Sequence, residues 1–192
     1  LDLFKPQDKQ TARKLLGLDE NTPTALYVGR FDPIKGIDRL LKAIAHLRRQ
    51  QRLRLLIIGG DGPETDDYKN LQQLARQLGI ADSVNFVGRI EQNRLPPYYR
   101  AADTLVIPSY YESFGLVGLE SLACGTPVAV SRIGALVELA GDAGLVFDPS
   151  DTGDMTSTID RILQSAELQE TMRQRGLERS EHYSWGKAAE QT

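Results

Sequence analysis

The sequence predicts an α/β fold, a doubly wound parallel sheet of about six strands with helices on both faces. Short apolar runs alternate with longer amphipathic stretches along the whole chain, the pattern of repeated βαβ units. Most of the runs are bounded by Gly, Pro or Asp and stay apolar throughout, as strands covered on both faces do. The 192 residues, 41% hydrophobic and 26% charged, suit one globular domain with a terminal extension.

The elements follow in order. Residues 1–22 read as a linker with a first helix, before a first strand at 25–28. Ile37, Leu40, Leu41, Ile44 and Leu47 share one face of a helix predicted over 36–50. A second strand at 53–58 runs into the turn Gly59-Gly60-Asp61-Gly62-Pro63. Leu71, Leu74, Ala75 and Leu78 then mark a helix over 64–78, which Gly79 ends. After a third strand at 84–87 comes a helix over 93–102, where Pro96 and Pro97 suit only the opening turn. A fourth strand at 104–107 and a helix over 115–124 lead to strands at 127–130 and 145–147, with Ser131 to Glu138 read as a loop. Helices over 151–165 and 167–182 close the pattern, Ser184 serving as a cap and Trp185 as an anchor for the last segment. Residues 23–166 thus form the main domain and 167–192 its helical extension.

Composition excludes several classes. A net charge of −3 with scattered Lys and Arg gives no nucleic-acid footprint. The lone Cys124 cannot cross-link the fold and reads as a small buried hydrophobe. The apolar runs are too short to cross a bilayer, and the first ten residues lack the regions of a signal peptide. These features set a cytoplasmic expectation. The chain lacks an initiator Met and opens in a linker-like stretch, which reads as a piece of a longer protein.

Doubly wound sheets bind ligands beyond the carboxyl ends of their strands, so the loops there are the places to look. The first is Gly29-Arg30-Phe31-Asp32-Pro33-Ile34-Lys35-Gly36. It is neither a dinucleotide fingerprint nor a P-loop, because the glycine spacing is wrong for both. It does place Arg30 and Lys35 at the ligand edge, either to neutralise a diphosphate or as solvated loop charges. The acids Asp61, Glu64, Asp66 and Asp67 could suggest a metal, but they lack metal-loop spacing and read as a solvated helix start.

The fourth strand runs into Pro108-Ser109-Tyr110-Tyr111-Glu112-Ser113-Phe114-Gly115-Leu116-Val117-Gly118-Leu119-Glu120. Gly115 and Leu116 fall at a helix start, where free N–H groups and the dipole favour an anion. Glu112 and Glu120 can accept from sugar or ribose hydroxyls; equally, Glu112 reads as a helix N-terminal acid and Glu120 as part of a solvated face. His46 and His182 have no metal or triad spacing, and Ser109 is not in a nucleophile elbow.

The pair Gly29-Arg30 with Lys35-Gly36, the two glutamates with seven residues between, the text Ala123-Cys124-Gly125-Thr126-Pro127-Val128 and the ending Tyr183-Ser184-Trp185 together resemble the retaining glycosyltransferase family 4. The resemblance covers essentially the whole chain. It implies the Rossmann-like C-terminal half of a GT-B fold that binds a nucleoside-diphosphate sugar, with residues 23–166 as the binding domain. Arg30 and Lys35 would grip the diphosphate and Gly29 would lie beside them. Gly115 and Leu116 would add backbone donors, and Phe114 and Val117 would also line the donor site. Glu112 would hold the donor sugar and Glu120 the ribose, while Arg89 and Ile90 would sit near the nucleobase. It implies hexosyl transfer with retained configuration, catalysed by Arg30, Lys35 and Glu112 without cofactor, metal or protein nucleophile. An N-terminal domain not in this chain would bind the acceptor and carry any peripheral membrane contact. One departure stands out: where the family has a second glycine and then a proline after its fifth strand, this chain has Ala135 and Leu136-Val137. No donor contact is therefore assigned to this loop. The alternatives are a non-catalytic nucleotide-binding module and a nucleotide-sugar epimerase on a similar sheet.

Overall fold

The computed structural model describes residues 1–183. Helix α1 (Lys9–Leu15) precedes β1 (Thr24–Gly29), α2 (Ile37–Arg48), β2 (Arg54–Gly59), α3 (Asp66–Gln77) and β3 (Val84–Gly88). Then follow α4 (Pro96–Ala101), β4 (Thr104–Ile107), α5 (Leu116–Ala123), β5 (Val128–Ser131), α6 (Gly134–Ala140), β6 (Gly144–Phe147), α7 (Thr152–Gln164) and α8 (Ala166–His182). The six strands form one parallel sheet in the order β3-β2-β1-β4-β5-β6, as the Rossmann-like expectation requires.

Alternation along each strand divides the core in two. Ala25 and Tyr27 of β1, Leu55 and Ile57 of β2 and Val106 of β4 point to one face, where Leu40, Leu41 and Ile44 of α2 and Met155, Ile159 and Ile162 of α7 cover them. Leu26, Leu56, Ile58, Leu105 and Ile107 point to the other, under Tyr99 of α4, Leu119 and Leu122 of α5 and Leu136 and Leu139 of α6. Every strand of the central four is thus buried on both sides, which is why its sequence is apolar rather than alternating.

Chain order reverses between β1 and β4. The helix after β1 covers one face and the helix after β4 the other, so a crevice opens at the carboxyl ends of these two strands.

Two expectations need correction. Ser131 to Glu138 is not all loop: α6 begins at Gly134, and its Leu136, Leu139 and Ala140 are buried in the core. Seven residues give too few turns for a visible period, yet Ala, Leu and Glu form helix readily once an apolar face is there to dock on. The helix predicted over 93–102 is two pieces, a 3-10 turn at Gln92–Arg94 and then α4 from Pro96. Pro96 and Pro97 have no N–H to donate, so they open an α-helix rather than continue one.

Residues 1–22 are docked on the domain: Phe4 is buried in the core, and Arg13 is buried against Asp103 at 2.8 Å. Helix α8 packs on α5 and α7. The cap and anchor read at Ser184 and Trp185 lie outside the described residues. Among the described residues, no helix is long and apolar enough to cross a membrane.

Candidate functional site

The loop after β1 is built to be rigid. Asp32 caps a 3-10 turn at Pro33–Lys35 by accepting from the Ile34 N–H at 3.0 Å, and the Lys35 N–H donates to the Asp32 carbonyl at 2.8 Å. Below it the buried Tyr27 hydroxyl donates to the Arg30 carbonyl at 2.7 Å. Gly36 closes the loop at φ 68°, and a Cβ there would collide with the Pro108 carbonyl of the neighbouring loop. Only glycine therefore lets the β1 and β4 loops touch across the crevice. A hydrogen bond from the Tyr110 N–H to the Ile34 carbonyl, 2.8 Å long, ties them again.

This contact brings two chemical groups together. The Lys35 ammonium donates to the Glu112 carboxylate at 2.9 Å, and both side chains are mostly buried. Partial burial pushes the Glu112 carboxyl up, but the Lys35 ammonium and the N–H groups of Gly115 and Ser113 outweigh it and hold it below the usual range. Arg30, on the same loop, is exposed and makes no ion pair among the described residues.

Helix α5 begins beside this pair. Gly115 is its N-cap at φ 66° and supplies no side-chain acceptor, while the Gly118 and Leu119 N–H groups donate back to the Gly115 carbonyl. The N–H groups of Leu116 and Val117 are therefore left for an incoming acceptor, at the positive end of the helix dipole.

About one turn on, Glu120 is only 9% exposed. One of its oxygens accepts from the buried Tyr99 hydroxyl at 2.7 Å, the other from the Gln92 amide at 3.1 Å. Burial and then the Glu120 carboxylate raise the Tyr99 phenol well above its usual range, which keeps it a donor. Gln92 comes from the turn that follows β3, so this hydrogen bond links that loop to α5.

Residues 8–179 match the model of the glycosyl transferases group 1 family. The chain belongs to that family. It is 38% identical over 200 residues to D-inositol 3-phosphate glycosyltransferase 2 of Catenulispora acidiphila, an alignment that takes in 100% of this chain and 47% of that protein. The chain spans about half the length of the curated relatives it matches. Sucrose-phosphate synthase from Thermosynechococcus elongatus superposes on it with a TM-score of 0.90 at 38% identity, over 99% of this chain and 48% of that one. Anabaena HepE, solved with UDP and glucose, gives a TM-score of 0.83 at 24% identity over 94% of this chain and 50% of that one, which shows the common fold alone. These neighbours carry the GT-B architecture, and this chain matches one half of it.

The residues singled out in the sequence fall into four groups. Lys35, Glu112, Gly115, Leu116 and Val117 converge at the crevice, with Gly29 and Arg30 on its β1 side. Glu120 is not a solvated face; it is buried and doubly bonded. Arg89 and Ile90 lie past β3, beyond β2, Arg89 exposed and Ile90 packed partly on the core. Phe114, 78% exposed, stands in solvent with Tyr111 and Leu116, so the site is an open edge of the domain. No cluster of three or more His, Cys, Asp or Glu side chains is placed to hold a metal among the described residues. Tyr27, Gln92 and Tyr99 went unnoticed in the sequence. A tyrosine in a strand or on an amphipathic helix reads as core, and its hydroxyl partner is invisible without the fold.

Proposed function

We propose that this chain is the donor-binding half of a retaining, metal-independent glycosyltransferase that moves a hexosyl group from a nucleoside diphosphate. The observation that carries this reading is the meeting of Lys35 and Glu112 beside the uncapped start of α5, at the reversal point of the sheet. A cation, a carboxylate and free backbone donors within one crevice suit a ligand that joins a diphosphate to a polyol.

In this reading Arg30 reaches over the diphosphate with a planar fork, while Lys35 and the Leu116 and Val117 N–H groups hold it from the helix side. Negative charge grows on the diphosphate as the glycosidic bond breaks, and these donors stabilise it there. Glu112, kept ionised by Lys35, accepts from hydroxyls of the transferred sugar and fixes its orientation. Glu120 holds the ribose, and the Arg89–Ile90 backbone lies near the base. The acceptor attacks from the face that the diphosphate leaves, so no protein nucleophile is needed and configuration is kept.

The open edge at Tyr111, Phe114 and Leu116 needs a cover to exclude water during transfer, and an N-terminal acceptor domain supplies it in this reading. The half-length match to the relatives favours the same arrangement. It also favours the second reading for the chain alone, a nucleotide-binding module without turnover. The relatives named as glycosyltransferases support the class of reaction.

Saturation-transfer NMR of the chain with UDP-glucose, GDP-mannose and ADP-glucose tests this. Contact at the ribose and sugar protons of at least one donor is expected. Silence from all three contradicts the reading, and turnover of a donor by the chain alone removes the module alternative.

A further inference from the structure

Resting on the donor-site reading above, we propose that Tyr99 is the positioning residue for Glu120, and that the Gln92 amide occupies the place a ribose hydroxyl takes when donor binds. The two oxygens of Glu120 are held in very different ways. Oε2 faces the protein. It accepts from Tyr99 at 2.7 Å, a short charge-assisted bond to a residue with 0% of its surface exposed. Tyr99 itself is clamped: its ring meets Phe4 edge-on at 5.8 Å, and its carbonyl accepts from the Thr126 hydroxyl at 2.7 Å. The phenol has one proton to give, and it gives it to Glu120.

Oε1 is met from the turn that follows β3, at the carboxyl edge of the sheet. Its partner is the neutral amide of Gln92, longer at 3.1 Å and offered by an exposed side chain on a loop. A hydroxyl is a comparable donor, so exchanging amide for ribose costs Glu120 little, whereas the Tyr99 bond persists. With one oxygen anchored, the carboxylate presents the other at a fixed place, and the ordering is done before ligand arrives. The same Gln92 bond ties the loop after β3 to α5, so its release on binding couples that loop to the ribose contact.

The test is a titration of the wild-type chain, Tyr99→Phe and Gln92→Ala with UDP, GDP and ADP, then with the 2′-deoxy and 3′-deoxy forms of the nucleotide that binds. In the wild type, one of the two deoxy forms should bind about tenfold more weakly, which identifies the hydroxyl held by Glu120. Tyr99→Phe should weaken the ribonucleotide about tenfold and leave that deoxy form within about twofold. Damage to the fold alone would lower both equally, and that result overturns the assignment, as does no loss with either. Gln92→Ala sits on the surface and does not threaten the fold. It should bind the ribonucleotide as well as the wild type or better, and a loss of about tenfold or more overturns the displacement. If the wild type binds no nucleotide, the donor-site reading falls and this inference with it. If it binds and neither deoxy form is weaker, the donor site stands and this inference alone falls.

Discussion

The Lys35 ammonium lies 2.9 Å from the Glu112 carboxylate, although 77 positions separate them in the chain. One residue follows β1 and the other follows β4, strands that neighbour each other only because chain order reverses between them. The pair means that the diphosphate cation and the sugar carboxylate of the proposed site neutralise each other before any ligand arrives.

This makes their substitutions separable. Lys35→Ala should weaken a nucleoside diphosphate about tenfold or more, since a charge-assisted contact is lost. Glu112→Gln should leave the diphosphate alone unharmed, or bind it more tightly because Lys35 is freed, yet weaken the matching nucleotide sugar. Calorimetry with both ligands on both variants reads this out, and equal losses for both ligands in Glu112→Gln would refute the division of labour.

The pair also sets a pH signature. Glu112 is held below its usual range in the folded chain, so its contribution is fully present above the unfolded value of ~4.3 and is lost as pH falls through the lower folded value. At neutral pH the pair contributes up to about 1 kcal/mol, so Glu112→Gln should be less stable than the wild type by that order. Urea melts should show the two converging below about pH 4. A gap that grows on acidification would contradict the sign.

A different carboxylate carries more stability. Asp103 accepts from Lys9 at 2.7 Å, from Arg13 at 2.8 Å and from the Thr24 N–H at 2.7 Å, and this fastens α1 and the start of β1 to β4. Arg13 is only 3% exposed, so Asp103→Ala strands a buried cation and should cost about 3–5 kcal/mol. Denaturant unfolding measures it, and a loss under about 1 kcal/mol would show that water reaches Arg13.

Cys124 should be inert in the folded chain. Burial pushes its thiol up to about 12, with Arg100 only partly opposing. A thiol reagent at pH 8 should react only at the rate of unfolding, and fast labelling of the native chain would contradict its buried setting.

Much of this was legible beforehand because buried parallel strands leave an unbroken apolar trace. The β4 limits at Thr104–Ile107 match expectation, β3 and β6 differ by one residue at one end, and β1, β2 and β5 by one residue at each end. Pro127 belongs to the β5 edge by its carbonyl, which accepts from Leu105, but lacks the N–H to begin the strand. Helix α6 escaped because it is short and its core face shows only once α5 is in place. Lys35 and Glu112 were each visible as charged residues in strand-end loops, but their meeting depends on strand order, which alternation of elements does not encode. Tyr99 and Gln92 were hidden for the same reason: their partner, Glu120, reaches them only in three dimensions.

The most direct measurement is calorimetric titration of the chain with uridine, guanosine and adenosine diphosphates, with and without magnesium, repeated on Arg30→Ala. Arg30 is exposed and does not hold the fold together, so its loss reads out ligand contact alone. Binding of one nucleotide that is indifferent to magnesium and falls about tenfold or more in Arg30→Ala is the expected result. Binding that requires magnesium, or that survives Arg30→Ala unchanged, would contradict a diphosphate held by the β1 loop.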